Sequence, residues 1–329
     1  MDTDSRALWF GVTTLIFAAM IYFADVGKFL DAVRSAKLLP LVPAFFFGMV
    51  VFLIWANTWY SFFRQMNLDV SYRKTLKLFM AGNFMNSVTP LGQFGGEPFM
   101  AYVINRNTDA SYERSLSAVF SADVVNGAPV LTFIFGGALY MLFFKSVNDL
   151  FLQVTYIALL VFLLGGSIIY TLWFRAGTIE DQVLSLLERL SGVLGRGESL
   201  VRKADRWTDR FEESFQMIGE EPEDLFRVAV IAHLSFLSQV FCLYFILFSL
   251  GMDPDFTPLY FVLAVSGLAQ FSPTPGGSGT FEAAMASVLT VFMSLSFPVA
   301  LIAAILFRMT TYWPGIALGY LALLSLDES

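Results

Sequence analysis

One cysteine and one histidine occur in 329 residues. With Cys242 alone, no disulfide can form within the chain, and with His233 alone the usual clusters of zinc or iron ligands cannot be assembled. No nucleophile sits beside a matching base, so no catalytic residue, metal or cofactor is expected and the chain is read as not an enzyme. Charge is also scarce, since Asp, Glu, Lys and Arg together make up 14%. The formal net charge is −7, which leaves no basic surface for nucleic acid.

Apolar residues are what the sequence has, at 57% of the total. The charges gather between the apolar runs, as they must where spans avoid the cost of charge in hydrocarbon. Runs near the ~20 residues a span needs lie at 7–24, 38–63, 115–143, 150–174, 225–250 and 297–324. The first is kept as a span and not a cleaved leader. Its flank holds Arg6 against Asp2 and Asp4, and no small-x-small site follows it. Residues 175–224 form the one sizeable aqueous segment. Leu200, Ala204, Trp207, Phe211, Phe215 and Ile218 recur there at helical spacing, which predicts a cytoplasmic amphipathic connector. His233 lies in an apolar run and is read as a helix-packing group.

Two apolar regions do not fit the pattern of full spans. Residues 75–105 are interrupted from Val88 to Gly96, and residues 257–295 from Ser272 to Gly279. Each arm is at most ~26 Å of helix against ~30 Å of hydrocarbon. A re-entrant broken-helix hairpin is the economical solution for each. Backbone that leaves helical geometry at membrane depth must be buried in protein or line a wet cavity, because lipid cannot satisfy it.

The two interruptions repeat one another. Ser87, Thr89, Pro90, Gly92 and Glu97 match Ser272, Thr274, Pro275, Gly277 and Glu282 in the pattern S-x-T-P-x-G-x-x-x-x-E, at an offset of 185 residues (272 minus 87). The same offset pairs Asp123 with Arg308 and Pro129 with Pro314. Arg64, Arg73, Lys74, Lys77, Arg106 and Arg114 gather at one set of span ends. The rule that positive charge stays inside then places both termini in the cytoplasm, with the cell membrane as the location. On that orientation the hairpins enter from opposite faces. The expected architecture is therefore an all-α, polytopic bundle of six full spans and two re-entrant hairpins. Residues 1–329 make a single membrane domain in which 38–143 and 225–324 are inverted-topology repeats, a plan that places substrate near the midplane.

Each interruption has a chemical rationale. Pro90 and Pro275 end an incoming half-helix, Gly92, Gly95, Gly96, Gly276 and Gly277 allow close turns, and the outgoing half-helix presents free N–H groups to an anion such as phosphate. Ser87, Thr89, Ser272, Thr274, Ser278 and Thr280 add hydroxyls. Glu97 and Glu282, in the opening turns of the outgoing half-helices, are either helix caps or carboxylates for a proton or cation relay or a cationic headgroup. Arg308 and Asp123 fall deep in their spans, either as a structural ion pair or with Arg308 as a headgroup clamp. Asn83, Asn86, Asn126 and Gln270 either line the cavity or bond neighbouring helices.

The run from Asn83 to Gly92 with Gly95, Gly96 and Glu97, together with the run from Ser272 to Glu282, resembles the lysylphosphatidylglycerol synthase transmembrane family, or flippase-like domain. The likeness extends over nearly the whole chain. Bifunctional members add a cytoplasmic aminoacyltransferase, whereas this sequence stops after its last span, so the resemblance implies translocation without lipid synthesis. The expected partner is a membrane lipid or lipid-linked saccharide, with a separate lipid-modifying enzyme or glycosyltransferase as a possible supplier. A secondary transporter of a small anion or cation-coupled solute, and a membrane enzyme acting on polyprenyl phosphate or phospholipid, remain open as alternatives.

Overall fold

The computed structural model describes Arg34, residues 36–88, 93–144, 222–272 and 274–327, and a set of positions between 153 and 167. The expected span at 7–24, most of that at 150–174, nearly all of the connector, and Thr89, Pro90, Leu91 and Gly92 lie outside the described residues. Every element found among the described residues is helical.

Among the described residues, four helices are long and apolar enough to cross a membrane. They are α1 (Leu41–Gln65), α4 (Tyr112–Phe144), α5 (Pro222–Ser249) and α8 (Phe297–Asp327). Even the shortest, at 25 residues, reaches roughly 37 Å, so the hydrocarbon is covered. They coincide with the runs expected at 38–63, 115–143, 225–250 and 297–324.

Shorter helices fill the interrupted regions. The first holds α2 (Tyr72–Val88) and α3 (Gln93–Asn107); the second holds α6 (Phe256–Gly267) and α7 (Thr280–Met293). With 17, 15, 12 and 14 residues respectively, none exceeds roughly 26 Å. The helices of each pair pack on one another. Between α6 and α7 the chain passes through 3-10 turns at Leu268–Phe271 and Pro275–Gly277. Pro275 fixes its own φ there, and Gly276, Gly277 and Gly279 take positive φ values of 55°, 68° and 83°, a region closed to most side chains.

The apolar residues segregate into two cores. One gathers Leu243, Phe261, Met285 and Leu301, from the end of α5, both arms of the second pair and the start of α8. The other gathers Phe62, Leu78, Ile104, Val119 and Leu326, from the end of α1, both arms of the first pair, the start of α4 and the end of α8. Lys37 donates its backbone N–H to Ser249 O at 2.7 Å, which ties the start of α1 to the end of α5. At the opposite end, the Arg114 guanidinium donates to Met66 O, tying the start of α4 to the end of α1. The long helices run through both cores, and the polar residues of interest lie between them.

Helix α8 is drawn onto its neighbours by small residues. A Cβ on Gly315 would meet the Phe52 ring and the Asn83 amide, and one on Gly319 would meet Met80 O. Gly315 and Gly319 thus form a small-xxx-small face against α2, the device by which membrane helices approach closely. Pro314 lacks the N–H that would bond Thr310 O, and Gly48 of α1 packs against that same carbonyl. We expect Gly319→Ala to force α8 off α2 at a cost of about 1–3 kcal/mol, read as a lower melting temperature of the detergent-solubilised chain. Gly136→Ala, whose methyl group would meet nothing within 4 Å, should melt with the parent.

Candidate functional site

The centre of the bundle is organised by one buried guanidinium. Arg308, 5% exposed, places Nε 3.1 Å from Glu282 Oε1, and Glu282 is itself 2% exposed. Nη2 donates to Gly276 O at 2.8 Å and to Ser278 Oγ at 3.4 Å. The cation lies over the Tyr312 ring, 3.4 Å from its centroid, and 5.3 Å from that of Phe281. Nη1 carries none of these bonds.

Of the two readings offered for Arg308 and Asp123, the ion pair between them is not the one formed. A repeat offset states symmetry, not distance, and Arg308 finds Glu282 one helix away.

Glu282 takes the capping role considered for it and pairs with Arg308 besides. Its Oε2 accepts the Gly279 N–H at 2.8 Å at the start of α7, while Oε1 accepts from Arg308 Nε. Glu97 does not repeat this. It is the fifth residue of α3, past the first turn, so the expected capping position holds for Glu282 alone. Around the second tip the hydroxyls of Ser272, Thr274 and Thr280 bond one another at 2.6–3.3 Å, and Thr280 also donates to Gly277 O at 2.9 Å. These hydroxyls hold the tip's shape.

A cavity of about 120 Å³ opens beside Arg308. Its wall is shared: Trp55 of α1, Asn83, Asn86 and Ser87 of α2, Gln239 of α5, Gln270 and Gly276 of the second tip, and Phe281, Arg308 and Tyr312. Tyr312 donates its hydroxyl to Ser87 O at 3.1 Å, joining α8 to the last turn of α2. A water occupies about 30 Å³ of liquid volume, so the space suits a phosphate-sized group and excludes a whole lipid.

Of the residues proposed from sequence, Asn86, Ser87, Gly276 and Arg308 line this cavity, as do Asn83 and Gln270. Thr274, Gly277, Ser278 and Glu282 stand behind it. Gly95 and Gly96 fall in the first turn of α3, with Gly96 pressed so closely on the Asn86 amide that a side chain has no room. Asp123 and Asn126 lie on α4, away from the cavity wall. Sequence reasoning missed Trp55, Gln239 and Tyr312. The Gly315/Gly319 spacing was the available signal for Tyr312, because it brings that stretch of α8 against α2. His233 bonds Thr132 Oγ1 at 2.8 Å and Ala229 O at 2.7 Å, a helix-packing role. Cys242 is buried 3.1 Å from Thr310 Oγ1.

Four apolar helices of spanning length, packed around broken shorter ones and a central polar cavity, define an all-helical membrane protein. The chain belongs to the lysylphosphatidylglycerol synthase TM region family, whose profile matches residues 9–319. It is similar to UPF0104 membrane proteins of archaea. One from Methanothermobacter thermautotrophicus is 25% identical, covering 95% of this chain and 92% of the relative. One from Pyrococcus horikoshii is 23% identical, covering 94% and 93%. One from Archaeoglobus fulgidus is 22% identical, covering 94% and 93%. Their names give a membrane location and no substrate.

Removing one member of a buried ion pair leaves an uncompensated charge and costs about 3–5 kcal/mol. Glu282→Gln should therefore lower the melting temperature markedly, and the double change Glu282→Gln with Arg308→Gln should recover part of the loss. Thermal unfolding of the parent and these two variants in one detergent checks this.

Proposed function

We propose that this protein is a translocator that passes the anionic headgroup of a phospholipid or lipid-linked saccharide between leaflets, through the cavity beside Arg308. The observation that carries the reading is a polar cavity walled by both interrupted regions, with a buried guanidinium at its edge. Arg308 has its Nε and Nη2 committed to the protein, which fixes the fork at the cavity edge. An arginine so held presents a preorganised donor to phosphate. Asn83, Asn86 and Gln270 add amide groups, and the acyl or isoprenoid tail stays in the apolar surroundings.

The arrangement of the pairs supports an inverted plan. Helices α2 and α3 start and finish beside the Met66–Arg114 contact, and α6 and α7 beside the Lys37–Ser249 contact. We read both pairs as re-entrant hairpins entering from opposite faces, within repeats 38–143 and 225–324. Arg64, Arg73, Lys74, Lys77, Arg106 and Arg114 fall at the first of those ends, so we assign it to the cytoplasm of the cell membrane. Both termini would be cytoplasmic, and a separate lipid-modifying enzyme or glycosyltransferase would supply the substrate.

The test is reconstitution in vesicles with labelled phospholipids and polyprenyl phosphates. We expect leaflet exchange of at least one anionic lipid by the parent chain. Arg308→Lys keeps the charge but loses the fork, and Gln270→Leu removes a cavity amide. A charge-assisted hydrogen bond is worth about 1.5–3 kcal/mol, so Arg308→Lys should slow exchange by about tenfold or more. Exchange at the parent rate in both variants, or none in the parent, would remove the assignment.

A further inference from the structure

The two halves share a fold pattern but not a charge balance. In the second half the buried carboxylate of Glu282 meets the cation Arg308. In the first half, Glu97 stands at the position equivalent to Glu282, and the position equivalent to Arg308 is Asp123 (308 minus 185). Two acids therefore occupy the places that an acid and a base occupy opposite. Helix α3, which carries Glu97, packs on α4, which carries Asp123.

The unpaired atoms point the same way. Asp123 Oδ2, Asn126 Oδ1 and Asn86 Oδ1 are each buried without a hydrogen-bond donor. Asn126 lies one turn beyond Asp123 on α4, and the Asn86 oxygen abuts Gly96, next to Glu97. The Trp59 indole N–H is likewise buried without an acceptor. Buried acceptors without donors are costly, and paired like charges in a dry site cannot both stay ionised.

No base from the surrounding helices relieves this. Arg64 and Arg106 sit in the last turns of α1 and α3. Arg73, Lys74 and Lys77 sit in the opening turns of α2, and Arg114 at the start of α4 is held on Met66 O. On α5, Glu223, Asp224 and Arg227 fall at the helix start, where Arg227 pairs with Asp224 at 3.1 Å, and His233 is spent on Thr132 and Ala229. Tyr260 of α6 packs on Phe133, ten residues along α4 from Asp123.

We infer that Glu97 and Asp123 form a proton-binding pair that holds at least one proton at neutral pH, and that this proton is coupled to the anion occupying the cavity. A proton turns a carboxylate acceptor into an O–H donor, so each one bound satisfies an orphan oxygen of Asn86, Asn126 or the partner carboxylate. It arrives from cavity water, forms one O–H bond on a carboxylate, and leaves by the same route. Asn86 makes the link, because it lines the cavity on one side and touches the Glu97 turn on the other. Protonation removes negative charge beside the cavity, so anion binding should strengthen as pH falls and weaken as the pair ionises.

The proton pair is argued from the packing of α3 on α4 and the orphaned oxygens, whereas its coupling rests on the carrier reading, and the test separates them. Infrared spectra of the purified full-length chain at pH 7 should contain a protonated-carboxyl stretch that fades at high pH. Asp123→Asn and Glu97→Gln should each reduce that stretch, whereas Glu282→Gln should leave it unchanged. In vesicles, exchange of an anionic lipid by the parent should rise as pH falls, and Asp123→Asn should flatten the profile. If one variant fails to fold, the other and the parent's own pH titration still decide.

Carboxylates fully ionised at pH 7 would overturn the pair. So would a saturable rise in melting temperature with sodium but not choline that is lost in both variants, because it would mark a metal ion as the occupant. The stretch without lipid exchange at any pH would keep the pair and remove the carrier; exchange independent of pH would remove the coupling.

Discussion

A guanidinium enclosed at the centre of a membrane bundle sets the terms for everything around it. Arg308 cannot be shed by deprotonation, so its desolvation must be offset by fixed partners. Glu282, Gly276 O, Ser278 and the Tyr312 ring supply them. Those partners in turn dictate the local chain. Gly276 must turn with φ 55° to aim its carbonyl at the cation, and the Tyr312 ring leaves no room for a Cβ there. Gly279 must leave helical geometry so that its N–H reaches Glu282. Tip, cap and span form one unit because one charge requires all three.

The first half is built on the same frame with a different solution. The last turn of its helix α2 meets α8 through Ser87 and Tyr312, and Asn86 lines the cavity beside that contact. Yet the half lacks an internal cation, and its helix α3 puts Glu97 beyond the capping turn. Orphaned oxygens on Asn86, Asp123 and Asn126 follow from that difference. The buried carboxylate of one half is thus paired with its own half's arginine, whereas Asp123 of the other keeps an oxygen without a donor.

Much of this was legible in residue order. Apolar run length identified α1, α4, α5 and α8, because hydrocarbon thickness leaves little freedom in span length. The Ser-x-Thr-Pro-x-Gly pattern located the break between α6 and α7, because proline and glycine act through local backbone sterics. Partner choice was not legible in the same way. Asp123 and Arg308 were matched by symmetry, but contact depends on how α7 packs on α8, which no local rule encodes. Tyr312 and Trp55 read as ordinary aromatics of apolar runs, and their place on the cavity wall emerges only when α8 is brought onto α2. The Gly315/Gly319 spacing carried that information as a packing signal.

The distribution of polar bonds bears on how such a cavity could change its exposure. Around the second tip the bonds are internal to the second half: the hydroxyls of Ser272, Thr274 and Thr280, the Glu282 cap, and the Arg308 pair. Contact with the first half runs instead through the Tyr312 hydroxyl, the His233–Thr132 bond, the Ser238 hydroxyl on Phe47 O, the small-residue face of α8 and apolar side chains around Phe52. The second tip is therefore braced from within its own half, while the halves are joined along their long helices by a few side-chain bonds set among close apolar contacts.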